Sequence, residues 1–313
     1  MSKKLRPCGC HRKKNGIDDL PVVEKRSAKP DAGEPGKTGT LYVVATPIGN
    51  LEDITLRAIR ILREVGLVAA EDTRRTRILL DRYAISTPLT SLYDRNEAKK
   101  SGFIVAKLLQ GRDVAYVSDA GTPGISDPGY LLVKDALSRG IRVVPVPGAS
   151  ALIAALSVSG LPMDSFVFFG FLPSKAVRRQ HLLASLRQEQ RTLIFYESPH
   201  RLLASLKDIK AVLGDREVVV SREMTKIHEE FLRGPADRLI EGMEDETVKG
   251  EVTLIVAGRT EEVAGPSDTE LLALCGQLCR EAGETLTRRD MADRISQKTG
   301  VSRRRIYRLL LFS

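Results

Sequence analysis

Cysteine is scarce: Cys8, Cys10, Cys275 and Cys279 are the only four in 313 residues. They make no even framework of the kind that staples small secreted domains, so a reducing, cytoplasmic setting is expected. No apolar run approaches the roughly 18 residues of a membrane span, and no apolar core follows the basic opening segment as a secretion signal requires. Chemical signatures are missing too. No G-x-G-x-x-G follows a candidate strand, no G-x-S-x-G marks a hydrolase nucleophile, and no H-E-x-x-H offers a zinc helix. Metal spacing is absent as well. His200 and His228 form no ligand set, and Cys8-Gly-Cys10-His11 has no matching cluster after it, so no metal is expected. The string DAGEPGKT (31–38) imitates a phosphate loop, but Asp31 replaces its first glycine and neither a strand before it nor a helix after it supplies the required context.

What is present begins with charge. The hydrophobic content of 42% and charged content of 28% are those of a globular protein. The net charge of +9 is unevenly spread: residues 1–40 carry ten Lys/Arg against five Asp/Glu, and 285–313 carry eight against two, which leaves the body at −2. Two basic ends on a near-neutral body suit a polyanionic partner.

Residues 1–40 lack hydrophobic periodicity and are expected to be a disordered basic tail. From 41 onward short apolar runs alternate with helical spacing. LYVVAT, LVAAED, VAYVS and RVVPVPG are strand candidates, separated by amphipathic stretches such as ITLRAIRILREV and RRTRILLDRY. That alternation predicts a largely parallel, covered sheet over 41–158. A second series starts after LPMD (161–164), and several of its strands need no long crossover, so a mixed α/β domain is expected over 159–258. The segment 259–313 follows as a linker and a small C-terminal helical domain. In it Met291, Ile295, Val301, Ile306 and Leu309 or Leu310 space as two short helices meeting near Gly300. Arg303, Arg304, Arg305 and Arg308 make the second helix basic, in the manner of a helix-turn-helix for nucleic acid.

Three strand ends carry loops rich in glycine and proline: Thr46–Asn50, Ser118–Gly124 and Pro145–Ser150. Ligands of open α/β sheets bind beyond the carboxyl ends of strands. Glycines there permit close backbone approach, and Asp119 offers a hydrogen-bond acceptor. A second cluster, Glu71 through Arg77, puts acids at a strand end and arginines at a helix start, against the helix dipole. Binding phosphate, or pairing with the adjacent acids, would account for that order. Asp127 is expected to start the helix beside Pro128.

VATPIGNLEDIT (44–55), AAEDTRRTRILL (69–80), VSDAGTPGISDPG (117–129), VPVPGAS (144–150), FYESPHRL (195–202) and EMTKIHEEFLRG (223–234) occur in order. Together they resemble the bacterial small-subunit ribosomal RNA 2′-O-ribose methyltransferases of the tetrapyrrole-methylase superfamily. The resemblance spans about 41–258, with a weaker match in the C-terminal helices. It implies two α/β domains with S-adenosyl-L-methionine in the cleft between them, a homodimer, and as substrate a cytidine ribose of 16S rRNA at the decoding centre of the small ribosomal subunit. By motif position the cofactor contacts would be Pro47, Ile48 and Gly49; Asp119, Ala120, Gly121 and Thr122; Gly148, Ala149 and Ser150; and Tyr196 and Met224 from the second domain.

In methyl transfer to a ribose oxygen the leaving thioether is neutral, so alignment is the enzyme's main contribution. A base for the 2′-hydroxyl proton would come from Glu71, Asp72, Glu197 or Lys226. Arg74 and Arg75 would hold flanking phosphates. Two other readings are a tetrapyrrole or protein methyltransferase on the same fold, and a DNA-binding regulator with an α/β sensor domain.

Overall fold

The computed structural model describes residues 38–93, 95–243, 248–259, 268–282, 287–299 and 301–312. The tail expected over 1–40, with Cys8 and Cys10 and most of the 31–38 string, lies almost wholly outside these residues, as does most of the linker after Arg259.

The first unit alternates strand and helix throughout. In chain order it runs β1 Leu41–Val44, α1 Leu56–Glu64, β2 Leu67–Ala70, α2 Thr73–Arg82, β3 Leu89–Ser91, α3 Glu97–Leu109, β4 Val114–Val117, α4 Tyr130–Ser138, β5 Val143–Val146 and α5 Ala151–Ser157. All pairings are parallel and the strand order is β3-β2-β4-β1-β5. The period-2 rule splits β4 cleanly. Ala115 and Val117 join the core under α1 and α2, while Val114 and Tyr116 join the one under α3 and α4. With both faces covered, the strand is apolar at every position, as parallel sheets require.

Side-chain acceptors fix the starts of α1 and α2. Thr55 caps α1 through Ala58 N–H at 3.1 Å, and Asp72 caps α2 through Arg74 N–H at 2.8 Å. Helix α4 is different. The residue before the helix is not Asp127 but Gly129 at φ +121, which has no side chain to cap with. Its orphan donors go instead to buried Glu97, whose Oε1 accepts from Gly129 N–H at 2.9 Å and Leu131 N–H at 2.8 Å. A carboxylate at a helix N-terminus is favoured by the dipole, and this one comes from a helix more than thirty residues earlier in the chain. Glu97→Ala is therefore expected to cost about 2–4 kcal/mol, since buried N–H groups lose a charged acceptor. Urea unfolding measures it, and Glu97→Gln should retain part of the loss.

The second unit comprises β6 Phe166–Phe171, α6 Ala176–Ser185, β7 Thr192–Glu197, α7 Leu202–Leu213, β8 Glu217–Arg222, β9 Glu230–Pro235, α8 Ala236–Met243 and β10 Val252–Val256. Its order is β6-β7-β10-β8-β9; only β6–β7 is parallel, so the sheet is mixed. One face packs on α6, α7 and α8 around Phe195, Leu206 and Leu254. The other face, through Ile194, Val219 and Ile255, meets Ile48, Ala155, Leu156 and Met224. This second core joins the two units and closes the back of the cleft between them.

The remaining helices, α9 Asp268–Ala282, α10 Arg288–Thr299 and α11 Arg303–Phe312, enclose Leu271, Ala292, Ile295, Val301, Ile306 and Leu310. The expected pair of helices is thus part of a three-helix cluster.

Candidate active site

Strands β4, β1 and β5 are neighbours in the sheet, so the three unusual loops leave from adjacent carboxyl ends. They are tied into one platform. Thr46 N–H donates to Gly121 O at 2.9 Å, Gly121 N–H returns a bond to Thr46 O at 3.0 Å, and Thr122 Oγ1 donates to Ala149 O at 3.3 Å. Gly121 is where the loops converge, at φ +79; a Cβ there would lie 3.4 Å from Ile48 Cγ2 and 3.7 Å from Ala149 O. Asp119 stands above the platform. Its Oδ1 accepts from Asp72 N–H at 2.8 Å and its Oδ2 faces Arg75 at 3.6 Å, so the β2 and β4 loops hold it from one side.

Above this platform lies a cavity of about 400 Å³. Of the expected cofactor residues, Ile48, Asp119, Ala120, Gly121, Thr122, Ser150, Tyr196 and Met224 line it. Pro47, Gly49, Gly148 and Ala149 are not among its lining residues. A Cβ on Gly49 would come within 2.6 Å of Lys226 Cγ and 2.9 Å of Met224 O, so Gly49 lets the first loop dock against the second unit. Asn50 N–H continues that contact by donating to Thr225 Oγ1 at 3.0 Å. A Cβ on Gly148 would stand 3.0 Å from Ala45 Cβ.

The structure adds lining residues that sequence reasoning missed, among them Ser126, Asp127, Phe171, Gly250 and Glu251. Phe171 meets Tyr196 edge-on at 5.6 Å, placing two aromatic rings on one wall. Burial pushes the Tyr196 hydroxyl up, the Asp127 charge adds to this, and a backbone hydrogen bond opposes it. Ser126, Glu223 and Thr225 hold positive φ without being glycine. Ser126 lines the cavity, and the other two flank Met224, so strained backbone concentrates at this wall. No composition signal marks this wall as such, although Ser126 and Asp127 lie inside the glycine-rich stretch 117–129.

The four base candidates separate. Glu71 lines the cavity. Asp72 does not, and its carboxyl caps α2; the Arg74 N–H bond, aided by the Arg74 charge, holds it below the usual carboxylate range. Glu197 borders the cavity but is 2% exposed. Its Oε1 takes Arg201 at 2.6 Å and Ser198 N–H at 2.7 Å, and its Oε2 takes Ser205 Oγ–H at 2.5 Å. Lys226 is not a lining residue and pairs with Glu223 at 2.7 Å and Glu251 at 3.3 Å. Burial alone would lower its pKa, but those hydrogen bonds and charges outweigh it and the net shift is upward. An ammonium so held is no proton acceptor. Asp72, Glu197 and Lys226 are thus engaged by the partners named, and Glu71 is the candidate that lines the cavity beside Arg75 and Asp119.

The same pair sets a pH window. The Lys226 hydrogen bond depresses Glu223 against the opposing effect of burial. A depressed acid contributes stability above its unfolded value and loses it as pH falls through the folded one; a raised lysine contributes below its unfolded value and loses it as pH rises past the folded one. Amide exchange of residues 225–229 is therefore expected to be pH-independent, after correction for intrinsic rates, from about pH 5.5 to 9.5 and to quicken outside it.

Among the arginines, Arg74 is exposed and Arg75 lines the cavity beside Asp119, not a position for gripping phosphate alone. In α11, Arg303 pairs with Asp293 and Arg305 with Asp268, both at 2.7 Å, so these two are partly spent within the helical cluster. Arg304 and Arg308 are exposed without an ion pair among the described residues. Among those residues no His/Cys/Asp/Glu group could hold a metal, and no helix is long and apolar enough to cross a membrane.

Two sheets facing a shared cleft, with looped strand ends and no dinucleotide fingerprint, define a class: residues 40–240 match the model of the Tetrapyrrole (Corrin/Porphyrin) Methylases. The fold agrees with uroporphyrin-III-C-methyltransferase from Thermus thermophilus, at TM-score 0.51 and 21% identity over 70% of this chain and 94% of that one. Diphthine synthase superposes at TM-score 0.53 and 14% identity, covering 70% and 89%. Curated relatives are much nearer in sequence. Ribosomal RNA small subunit methyltransferase I of Synechocystis is 48% identical over 87% of this chain and 98% of its own length. The protein of that name from Thermotoga maritima is 52% identical over 71% and 99%, and that from Escherichia coli O157:H7 is 52% identical over 74% and 82%. The chain belongs to the tetrapyrrole methylase family and, within it, to the ribosomal RNA small subunit methyltransferase I group.

The cofactor of this family is S-adenosyl-L-methionine. The residues present fit it: the cavity volume is within the range of small-ligand sites, and Asp119 offers an anchored carboxylate. Phe171, Tyr196, Ile48 and Met224 give apolar and aromatic surface for a base and a sulfonium.

Proposed function

We propose that this protein methylates the ribose 2′-oxygen of a cytidine in 16S rRNA, at the decoding centre of the small ribosomal subunit. The observation that carries the reading is Asp119, fixed by Asp72 and Arg75 on a three-loop platform opposite Tyr196 and Met224. S-adenosyl-L-methionine, when bound, supplies an electrophilic methyl group with a neutral leaving thioether. The chain's part is positional. Ile48, the Asp119–Thr122 loop and Ser150 floor the site, Tyr196 and Met224 wall it, and burial of these surfaces excludes water. Glu71 is the group suited to accept the hydroxyl proton.

The supporting organisation is a platform domain over 41–158, a second domain over 159–258 and a helical domain after the linker, with two separate sheets behind the first division. Arg304 and Arg308 provide phosphate contacts, and Arg303 and Arg305 help shape the helix that carries them. A homodimer acting in the cytoplasm completes the reading. The names of the relatives favour RNA over a tetrapyrrole or protein substrate, and over a DNA-binding regulator.

Labelled S-adenosylmethionine and small ribosomal subunits test it. The expected result is label in the small rRNA at a position resistant to alkaline cleavage; label on a base, or none, overturns the ribose assignment. In the same assay Glu71→Gln is expected to lower kcat by about 10²- to 10³-fold, within the range of general-base catalysis, with cofactor affinity kept.

A further inference from the structure

The arginines that open α2 divide between two directions. Arg75 turns to the cavity and meets Asp119 Oδ2 at 3.6 Å. Arg74 is 92% exposed, and its one ion pair among the described residues is with its own capping Asp72, at 3.5 Å. Arg77 is exposed and has no ion pair among the described residues, and Ile78 beside it is 64% exposed. Positions 74, 77 and 78 share one face at i, i+3 and i+4, while Thr76, Leu79 and Leu80 bury the other. The first turn of α2 holds no acidic residue, and the acids beside it, Asp72 at the cap and Asp119, meet Arg74 and Arg75 only at 3.5 and 3.6 Å, so the dipole disfavours these cations with weak local offset. That face offers Arg77 without an ion pair among the described residues and Arg74 in one long, exposed pair, and it begins at the cavity mouth, since Glu71 and Arg75 of the same segment are lining residues.

Resting on the function proposed above, we infer that the outer face of α2, through Arg74, Arg77 and Ile78, is the track for a single-stranded RNA backbone running into the cavity. Arg75 is a positioning residue that holds Asp119 and thereby the β4 loop. Guanidinium groups three residues apart, about 4.5 Å along the helix axis, reach successive phosphates through their long side chains. Ile78 offers apolar surface to an unstacked base. Single-stranded RNA suits the track because a ribose held in a duplex cannot reach the cavity floor without leaving the stack.

The test uses the full chain, an oligocytidine as RNA probe, and calorimetry with S-adenosylmethionine. For R74Q/R77Q the expected result is RNA binding weakened about tenfold at low salt. The slope of log affinity against log salt should fall by about 1.4, as for two phosphates on a single strand, and cofactor Kd should stay within twofold. For R75Q the cofactor Kd should rise about three- to fivefold, as for an exposed ion pair, with the RNA slope and the urea midpoint nearly unchanged, and R75K should restore part of the affinity. A wild-type salt slope in R74Q/R77Q overturns the track. An unchanged cofactor Kd in R75Q overturns the positioning role. Loss of the slope in R74Q/R77Q while the wild-type protein moves no methyl to rRNA would uphold the track and sink the proposed reaction; methyl transfer with an unchanged slope would do the reverse.

Discussion

Glu197→Ala is expected to lower the unfolding free energy by about 3 kcal/mol, the lower end of the range for removing one partner of a buried ion pair. The carboxylate is buried and accepts from three groups: Arg201, Ser198 N–H and Ser205 Oγ–H. Arg201 is 28% exposed and can turn to water, which keeps the cost from rising further. Ser205 is fully buried and has no such escape. Urea unfolding is the measurement, and Glu197→Gln should fall between, since it keeps the shape and one acceptor but loses the charge. A variant that loses methyl transfer at an unchanged unfolding midpoint would return Glu197 to the list of bases.

Asp119→Ala is expected to raise the Kd for S-adenosylmethionine by roughly 30- to 150-fold, or about 2–3 kcal/mol, as for loss of a charged hydrogen-bonding group. Two effects combine. The cavity loses its anchored carboxylate, and Arg75 and Asp72 N–H lose the group that joins the β2 and β4 loops. The Arg75 contact is long and solvent-exposed, so its own share is small. Global stability should therefore move far less than affinity, and calorimetry with and without urea unfolding separates the two. Asp119→Asn, which keeps an acceptor for Asp72 N–H, should lose less. Unchanged affinity in Asp119→Ala would remove this residue from the site.

The parallel sheet was legible because buried strands such as VAYV are apolar at every position and are separated by amphipathic helices. The elements that escaped were β3, β9 and α8. Both strands lie at sheet edges, where half the surface faces solvent and charged sequence such as EFLRGP is tolerated. Helix α8 has only eight residues, and its apolar face, Ala236, Leu239, Ile240 and Met243, is complete only against α7 and the second sheet.

The same division holds at the site. Local chemistry determined the three glycine-proline loops, the acceptor Asp119 and the basic helices, because turn geometry and charge depend on residues close in sequence. Tertiary structure decided which acids are available. Asp72 caps a helix, Glu197 is enclosed by Arg201 and Ser205, Lys226 is held by two glutamates, and Glu97 caps a helix whose expected partner was Asp127. Carboxylates and ammonium groups take their roles from donors and acceptors brought near by folding, often from distant segments. A one-dimensional pattern therefore names the candidates, and packing assigns the work.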